Sequence, residues 1–241
     1  MNILVFENEE QISKASGALI GAQVINNPKC VLGLATGSTA LTPYKTLIRM
    51  YERKAVSFKD VTTFNLDEYC KLDPKDKNSY RSFMNDNLFS HIDINTDNTH
   101  FLDGNAEDIE AECDNYEKMI ENAGGIDIQL LGIGSNGHIA FNEPADDFSA
   151  KSHIVALKES TIKDNARFFN SIDEVPTHAL TMGIGSIMKA KKIIIIAIGE
   201  NKAQAVHDMV KGKITPQCPA SVLNLHNDVT VMVDEAAAKL L

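Results

Sequence analysis

The sequence predicts an α/β fold with a mostly parallel sheet and helices on both faces. Three observations predict it. Short β-branched runs such as NILVF, CVLGLA and DVTVMV alternate with longer amphipathic stretches. Strand–helix–strand units in that order close through right-handed crossovers, which makes neighbouring strands parallel. IDIQLLGIG and KKIIIIAIGE are nearly unbroken in their apolar character, as strands covered on both faces are.

Taken in order, NILVF is a strand, followed by a helix from about Glu9 to Val24 that turns Ile12, Ala15, Leu19 and Ile20 inward. CVLGLA is a buried strand, and TGST separates it from a helix opening at Pro43, with Tyr44, Leu47, Ile48 and Tyr51 on one stripe. VTTFNL is the next strand and ends in DEY. A helix around Asn105–Asn122 precedes the strand IDIQLLGIG. KKIIIIAIGE leads into a helix from Asn201, and DVTVMV into a last helical turn. No repeat, low-complexity tract or Pro-, Gly- or Ser-rich linker divides the 241 residues, so the expectation is one domain over 1–241. In a parallel sheet, ligands sit where loops leave the carboxyl ends of the strands. TGST, DEY and GIGSNGH each follow a strand, so all three are expected to face one crevice.

Composition narrows the partners. A formal charge of −10 argues against nucleic acid or an anionic membrane. It leaves room for a small anion held by local donors, because distant charges are screened within roughly 8 Å at physiological salt. The N-terminus carries no visible secretion signal, and the run Ile193–Ile198 is too short to span a bilayer. Cys30, Cys70, Cys113 and Cys218 are scattered without metal-ligand spacing, which reads as reduced thiols and a cytoplasmic location.

The loops carry the chemistry, each with two readings. GIGSNG fits G-x-G-x-x-G, a dinucleotide pattern, but Pro144 follows Gly137 by seven residues and leaves little room for the helix such a site needs. The alternative is a tight turn that brings His138 close to a ligand. His138 and Glu143 are either a base with its orienting carboxylate or a histidine settled in a core. TGST is either a phosphate cradle of backbone N–H groups and hydroxyls or an ordinary helix cap by Thr39 or Thr42. Asp67 and Glu68 are strand neighbours, so only one can face the crevice, as a carbon-acid base or as a cap. Lys202 and Arg167 are anion ligands or surface charges.

Assembled, LATGSTA, TFNLDEY, NSYRSFM, LGIGSNGHIAFNEP, NARFF, ALTMGIG and IGENKAQA resemble the glucosamine-6-phosphate deaminase family over essentially the full length. The resemblance implies a Rossmann-like three-layer fold without a nucleotide. It also implies conversion of glucosamine 6-phosphate and water to fructose 6-phosphate and ammonia, an amino-sugar breakdown step needing no metal or redox cofactor. On that footing Asp67 moves a proton between C2 and C1, and His138 shuttles one to the ring oxygen. Glu143 and Asn136 orient His138, and Gly37, Ser38, Thr39, Arg167 and Lys202 hold the phosphate. Many members carry aspartate at the position of Asn136, so a titrating role there is not expected. Asp146, His153 and Val155 stand where regulated members place a serine and basic residues, which implies no activation by N-acetylglucosamine 6-phosphate. The family includes hexamers and smaller forms, so a homo-oligomer is compatible with the resemblance. Two rivals stay open: a lactonase of the same fold, and a sugar-phosphate sensor.

Overall fold

The computed structural model describes residues 1–158, 161–163, 166, 169 and 171–241. Its strands are β1 (Asn2–Phe6), β2 (Val31–Leu34), β3 (Thr62–Asn65), β4 (Asp67–Tyr69), β5 (Thr99–His100), β6 (Ile128–Gly132), β7 (His153–Ala156), β8 (His178–Thr181), β9 (Lys192–Ala197) and β10 (Val229–Asp234). Among the described residues the α-helices are α1 (Glu9–Asn26), α2 (Leu41–Glu52), α3 (Tyr80–Asn87), α4 (Ile109–Asn122), α5 (Ile184–Ile187) and α6 (Ala203–Lys211).

Seven strands form one sheet in the order β1-β10-β9-β6-β2-β3-β5, with every neighbouring pair parallel. The isoleucines at 193–196 are wholly buried because β9 lies inside this sheet and is covered on both faces. The architecture is a three-layer, Rossmann-like α/β fold. From β2 the chain steps outward through β3 to β5, then returns to place β6 on the other side of β2 and continues to β9 and β10. The order therefore reverses between β2 and β6, and a crevice opens at their carboxyl ends.

A second sheet departs from the sequence reading. FNLDEY is not one strand: β3 ends at Asn65, and Asp67–Tyr69 joins a separate antiparallel sheet of order β4-β8-β7. Leu66 is the joint. Its N–H donates to the Leu34 carbonyl at 3.1 Å, and its carbonyl accepts from Met182 N–H at 2.7 Å, one bond to each sheet.

The helices differ from expectation in detail, for physical reasons. Asn8 caps α1 by accepting from Gln11 N–H. Its buried stripe runs through Ile12, Ser16, Gly17, Ile20, Gly21 and Val24, while Leu19 points out at 37% exposure. Small residues win that face because α1 lies close on α2: a Cβ on Gly17 would stand 2.5 Å from the Thr46 side chain, and one on Gly21 2.4 Å from Met50. α2 begins at Leu41, two residues before Pro43, after a 3₁₀ turn at Ser38–Ala40. α4 begins at Ile109, where Asp108 accepts from Ala111 N–H, so it is shorter than expected. After β10, residues 235–240 form turns rather than a regular helix. Among the described residues no helix is long and apolar enough to cross a membrane.

Candidate active site

Three adjacent strands, β9, β6 and β2, deliver their carboxyl-end loops to the same place, and β4 forms a side wall. Together they enclose a cavity of about 440 Å³. Gly37, Ser38, Thr39, Asp67, His138 and Lys202 all line it. Of the remaining site residues from the sequence, Asn136 and Glu143 lie one layer behind His138, and Arg167 lies outside the described residues.

The turn after β2 needs glycine, since Gly37 has φ +91°. Ala40 N–H closes back on the Gly37 carbonyl at 3.1 Å, and α2 follows directly. Gly37, Ser38 and Thr39 thus line the cavity just ahead of a helix start, a place suited to an anion. Neither threonine caps α2: its first turn receives no side-chain cap, and the Thr42 hydroxyl instead donates to Glu9 at 3.2 Å. The buried Tyr44 hydroxyl donates to the Ala35 carbonyl at 2.6 Å, tying α2 to the lip of the cavity. After β9 the same shape recurs: Gly199 has φ +96°, and Lys202 N–H returns to its carbonyl at 3.0 Å.

The two acids of DEY divide as strand alternation requires. Asp67 faces the cavity. Burial, and secondarily the charge of Glu68, pushes its carboxyl up to about 8. Glu68 turns the other way and accepts three backbone N–H bonds, from Tyr69 (2.9 Å), Tyr80 (3.0 Å) and Arg81 (2.9 Å). Two of those donors open α3, so Glu68 caps the helix that carries Tyr80 and Phe83 to the cavity.

The loop after β6 is an imidazole seat. A Cβ on Gly134 would stand 2.3 Å from Cε1 and Nδ1 of His138, so the ring lies directly across that glycine. Gly137 adopts φ +85°, and Gly134 N–H donates to the His138 carbonyl at 2.9 Å, which folds the loop back on itself. No long helix comes after it, and the dinucleotide reading of G-x-G-x-x-G falls. Asn136 fixes the tautomer. Its Oδ1 accepts from His138 N–H at 3.1 Å, and its Nδ2 donates to Glu143 Oε2 at 2.7 Å, which sets the amide's orientation. His138 Nδ1 lies 2.8 Å from that same Oδ1 and therefore carries a proton, leaving Nε2 to exchange protons elsewhere. The Glu143 carboxylate is 3.6 Å from Nδ1, so it acts on the ring chiefly through Asn136. Burial would raise Glu143, but His138, Thr161 and Asn136 outweigh it and hold the carboxyl at about 2. Thr161 supplies a 2.7 Å bond to Glu143 Oε1. The preceding residue, Asn142, donates to the Ile139 and Met182 carbonyls at 3.0 and 2.9 Å and pins the loop to the end of β8.

Residues 9–232 match the family described as glucosamine-6-phosphate isomerases/6-phosphogluconolactonase. The chain belongs to that family. Among its curated relatives, a glucosamine-6-phosphate deaminase of Clostridium perfringens (strain 13 / Type A) is 53% identical over the whole of both chains. One of Clostridium botulinum (strain Alaska E43 / Type E3) is 53% identical over all of this chain and 97% of its own. A solved monomeric glucosamine-6-phosphate deaminase superposes with a TM-score of 0.97 at 45% identity, covering 100% of each chain. The 6-phosphogluconolactonase of Trypanosoma cruzi shares the fold, with a TM-score of 0.78 at 20% identity over all of this chain and 96% of that one.

In this member of the glucosamine-6-phosphate isomerase/6-phosphogluconolactonase family the cavity also has walls that site-by-site sequence reasoning missed. Lys77 and Asn78 line it from the segment before α3, and Ser135 and Asn201 from the β6 and β9 loops. Tyr69, Tyr80 and Phe141 form an aromatic side, with Tyr69 and Tyr80 ring centroids 4.8 Å apart. NSYRSFM, TFNLDEY, LGIGSNGHIAFNEP and IGENKAQA contain all of these residues except Lys77, but as segments and not residue by residue. Among the described residues no group of three or more His, Cys, Asp or Glu side chains comes together as a metal site needs.

Proposed function

We propose that this chain, as a single catalytic domain, isomerises and deaminates glucosamine 6-phosphate, releasing fructose 6-phosphate and ammonia. The observation that carries the reading is one cavity holding a buried carboxylate, a tautomer-fixed histidine and two glycine turns suited to a phosphate. Relatives at about half identity over the full length, themselves glucosamine-6-phosphate deaminases, support it.

The Gly37–Thr39 turn and Lys202, with Arg167, anchor the phosphate, and the sugar then spans the cavity. His138 Nε2 takes the proton of the anomeric hydroxyl and passes it to the ring oxygen as the ring opens. Asp67 takes the C2 proton and returns it to C1, while the substrate's ammonium gives a proton to O1, so the aldehyde becomes a hydroxymethyl group and an iminium is left at C2. Water adds at C2, and ammonia departs as the carbonyl of fructose 6-phosphate forms. Anchoring at the far end of the substrate holds C2 against Asp67, and fixed positions of this kind supply several kcal/mol towards a barrier. The free, buried state of all four cysteines supports a reducing, cytoplasmic setting.

The deciding experiment supplies the purified protein with glucosamine 6-phosphate and measures both products. Equimolar ammonia and fructose 6-phosphate are expected. Hydrolysis of 6-phosphogluconolactone without ammonia release from the amino sugar would put the lactonase in its place.

A further inference from the structure

We propose that Asp234, the last residue of β10, is a positioning residue for the turn that presents Asn201 and Lys202 to the substrate phosphate. The inference rests on the phosphate-binding role of that turn and goes beyond it, since Asp234 does not line the cavity.

Sheet register dictates the placement. β10 lies beside β9 with Val233 opposite Ala197, so Asp234 stands alongside the point where the chain leaves β9. There Gly199 N–H is shared by both carboxylate oxygens, at 3.0 Å from Oδ1 and 3.1 Å from Oδ2. The same Oδ1 accepts from Ala237 N–H at 2.8 Å, which anchors the carboxylate from behind. Gly199 is the residue at φ +96° that starts the turn, so the bond holds the turn at its most permissive backbone position.

Charge sorts the next three side chains of the turn. Glu200 is drawn outward by Lys239 at 2.6 Å, both side chains being exposed, and it stays off the cavity wall. Asn201 and Lys202 line the cavity. Lys202 N–H closes on the Gly199 carbonyl, so a shift of Gly199 is transmitted directly to Lys202. A charge-assisted bond to a main-chain N–H is stronger than a neutral one, and here it sets the direction of a cation rather than touching the ligand.

The test compares Asp234→Ala, Asp234→Asn and Lys202→Ala for the KM of glucosamine 6-phosphate, kcat, and inhibition by inorganic phosphate. Losing a bond to a charged acceptor is expected to raise KM and weaken phosphate inhibition roughly ten-fold in Asp234→Ala, with a smaller change in kcat. Asp234→Asn keeps one acceptor oxygen and is expected to fall between that variant and the unaltered protein. If Lys202→Ala weakens phosphate binding and neither Asp234 variant does, the positioning role is overturned and the phosphate reading stands. If none of the three moves either constant, both fall together. A lowered melting temperature in Asp234→Ala with KM unchanged also overturns the proposal, since that is what a purely structural bond would give. Should Asp234→Ala not fold, Asp234→Asn decides alone: a KM equal to that of the unaltered protein overturns the proposal.

Discussion

A carboxyl held near 8 by burial is protonated at neutral pH in the empty cavity, yet a base must be ionised to take a proton. In the proposed reaction the substrate's ammonium lies beside Asp67, and a cation there favours the charged form and lowers its pKa on binding. The acid limb of kcat/KM, which reports the free protein, is therefore expected near pH 8, and that of kcat at lower pH. Coincident limbs in the two profiles would refute the assignment. Asp67→Asn is expected to abolish turnover while leaving substrate affinity within a few-fold. It should also stabilise the fold. Asp67 is raised on folding, so between about pH 4 and 8 the unfolded chain has lost a proton that the folded one keeps, and stability falls as pH rises. The gain from Asp67→Asn should thus grow by up to about 1.4 kcal/mol per pH unit across that window and level off above it; thermal melts at several pH values measure it. His138→Gln removes the proton shuttle and spares the carbon base, so cyclic glucosamine 6-phosphate should suffer more than an open-chain analogue. Equal losses for both would refute that role. Asp67 and His138 were legible in the sequence because each follows a run that reads as a strand: β3 ends two residues before Asp67, and β6 ends six residues before His138. Lys77 and Asn78 were not, since the segment before α3 has no period to place it against the cavity.

At the scale of elements, six strands of the large sheet (β1, β2, β3, β6, β9 and β10) were legible and the small sheet was not. DEY, HIVA and HALT are three or four residues each, too short to show a two-residue period, so the antiparallel β4-β8-β7 sheet left no sequence signal. α3 has eight residues and was missed for the same reason. The exposure of Leu19 shows a further limit: helical spacing names candidate faces, and the close approach of α1 and α2 at Gly17 and Gly21 selects among them. Glycine is equally decisive in the loop after β6, where the element exists to seat an imidazole. Gly134→Ala places a methyl where the His138 ring now lies, and the ring must leave its bond to Asn136. Since Gly134 itself needs no positive φ, the fold should survive. The expected result is a melting temperature within a few degrees of the unaltered protein and kcat lower by about two orders of magnitude, in the range that general acid–base groups contribute. A kcat within two-fold of the original would show that the ring does not need this seat.

The whole molecule sets how the site communicates with anything beyond it. Seven parallel strands fix the cavity from one side, and the small sheet fixes it from the other through Leu66 and Asn142, so an effector would have to act across β4-β8-β7. The family resemblance implies that an activator phosphate of regulated members would sit just beyond the loop that seats the histidine, on the strand that is β7 here. In this chain Asp146 is exposed at that place, His153 turns its Nδ1 to the Lys151 carbonyl at 3.0 Å, and Val155 packs with the cluster around Tyr69 and Phe141. Val155 thus serves the wall of the active site and offers no charge to a phosphate. Asp146 opposes one by like-charge repulsion, which solvent weakens at an exposed position but does not reverse. Substrate saturation is therefore expected to give the same curve with and without millimolar N-acetylglucosamine 6-phosphate. A sigmoidal curve that this ligand renders hyperbolic would prove the expectation wrong and would place an effector site on a different face of the molecule.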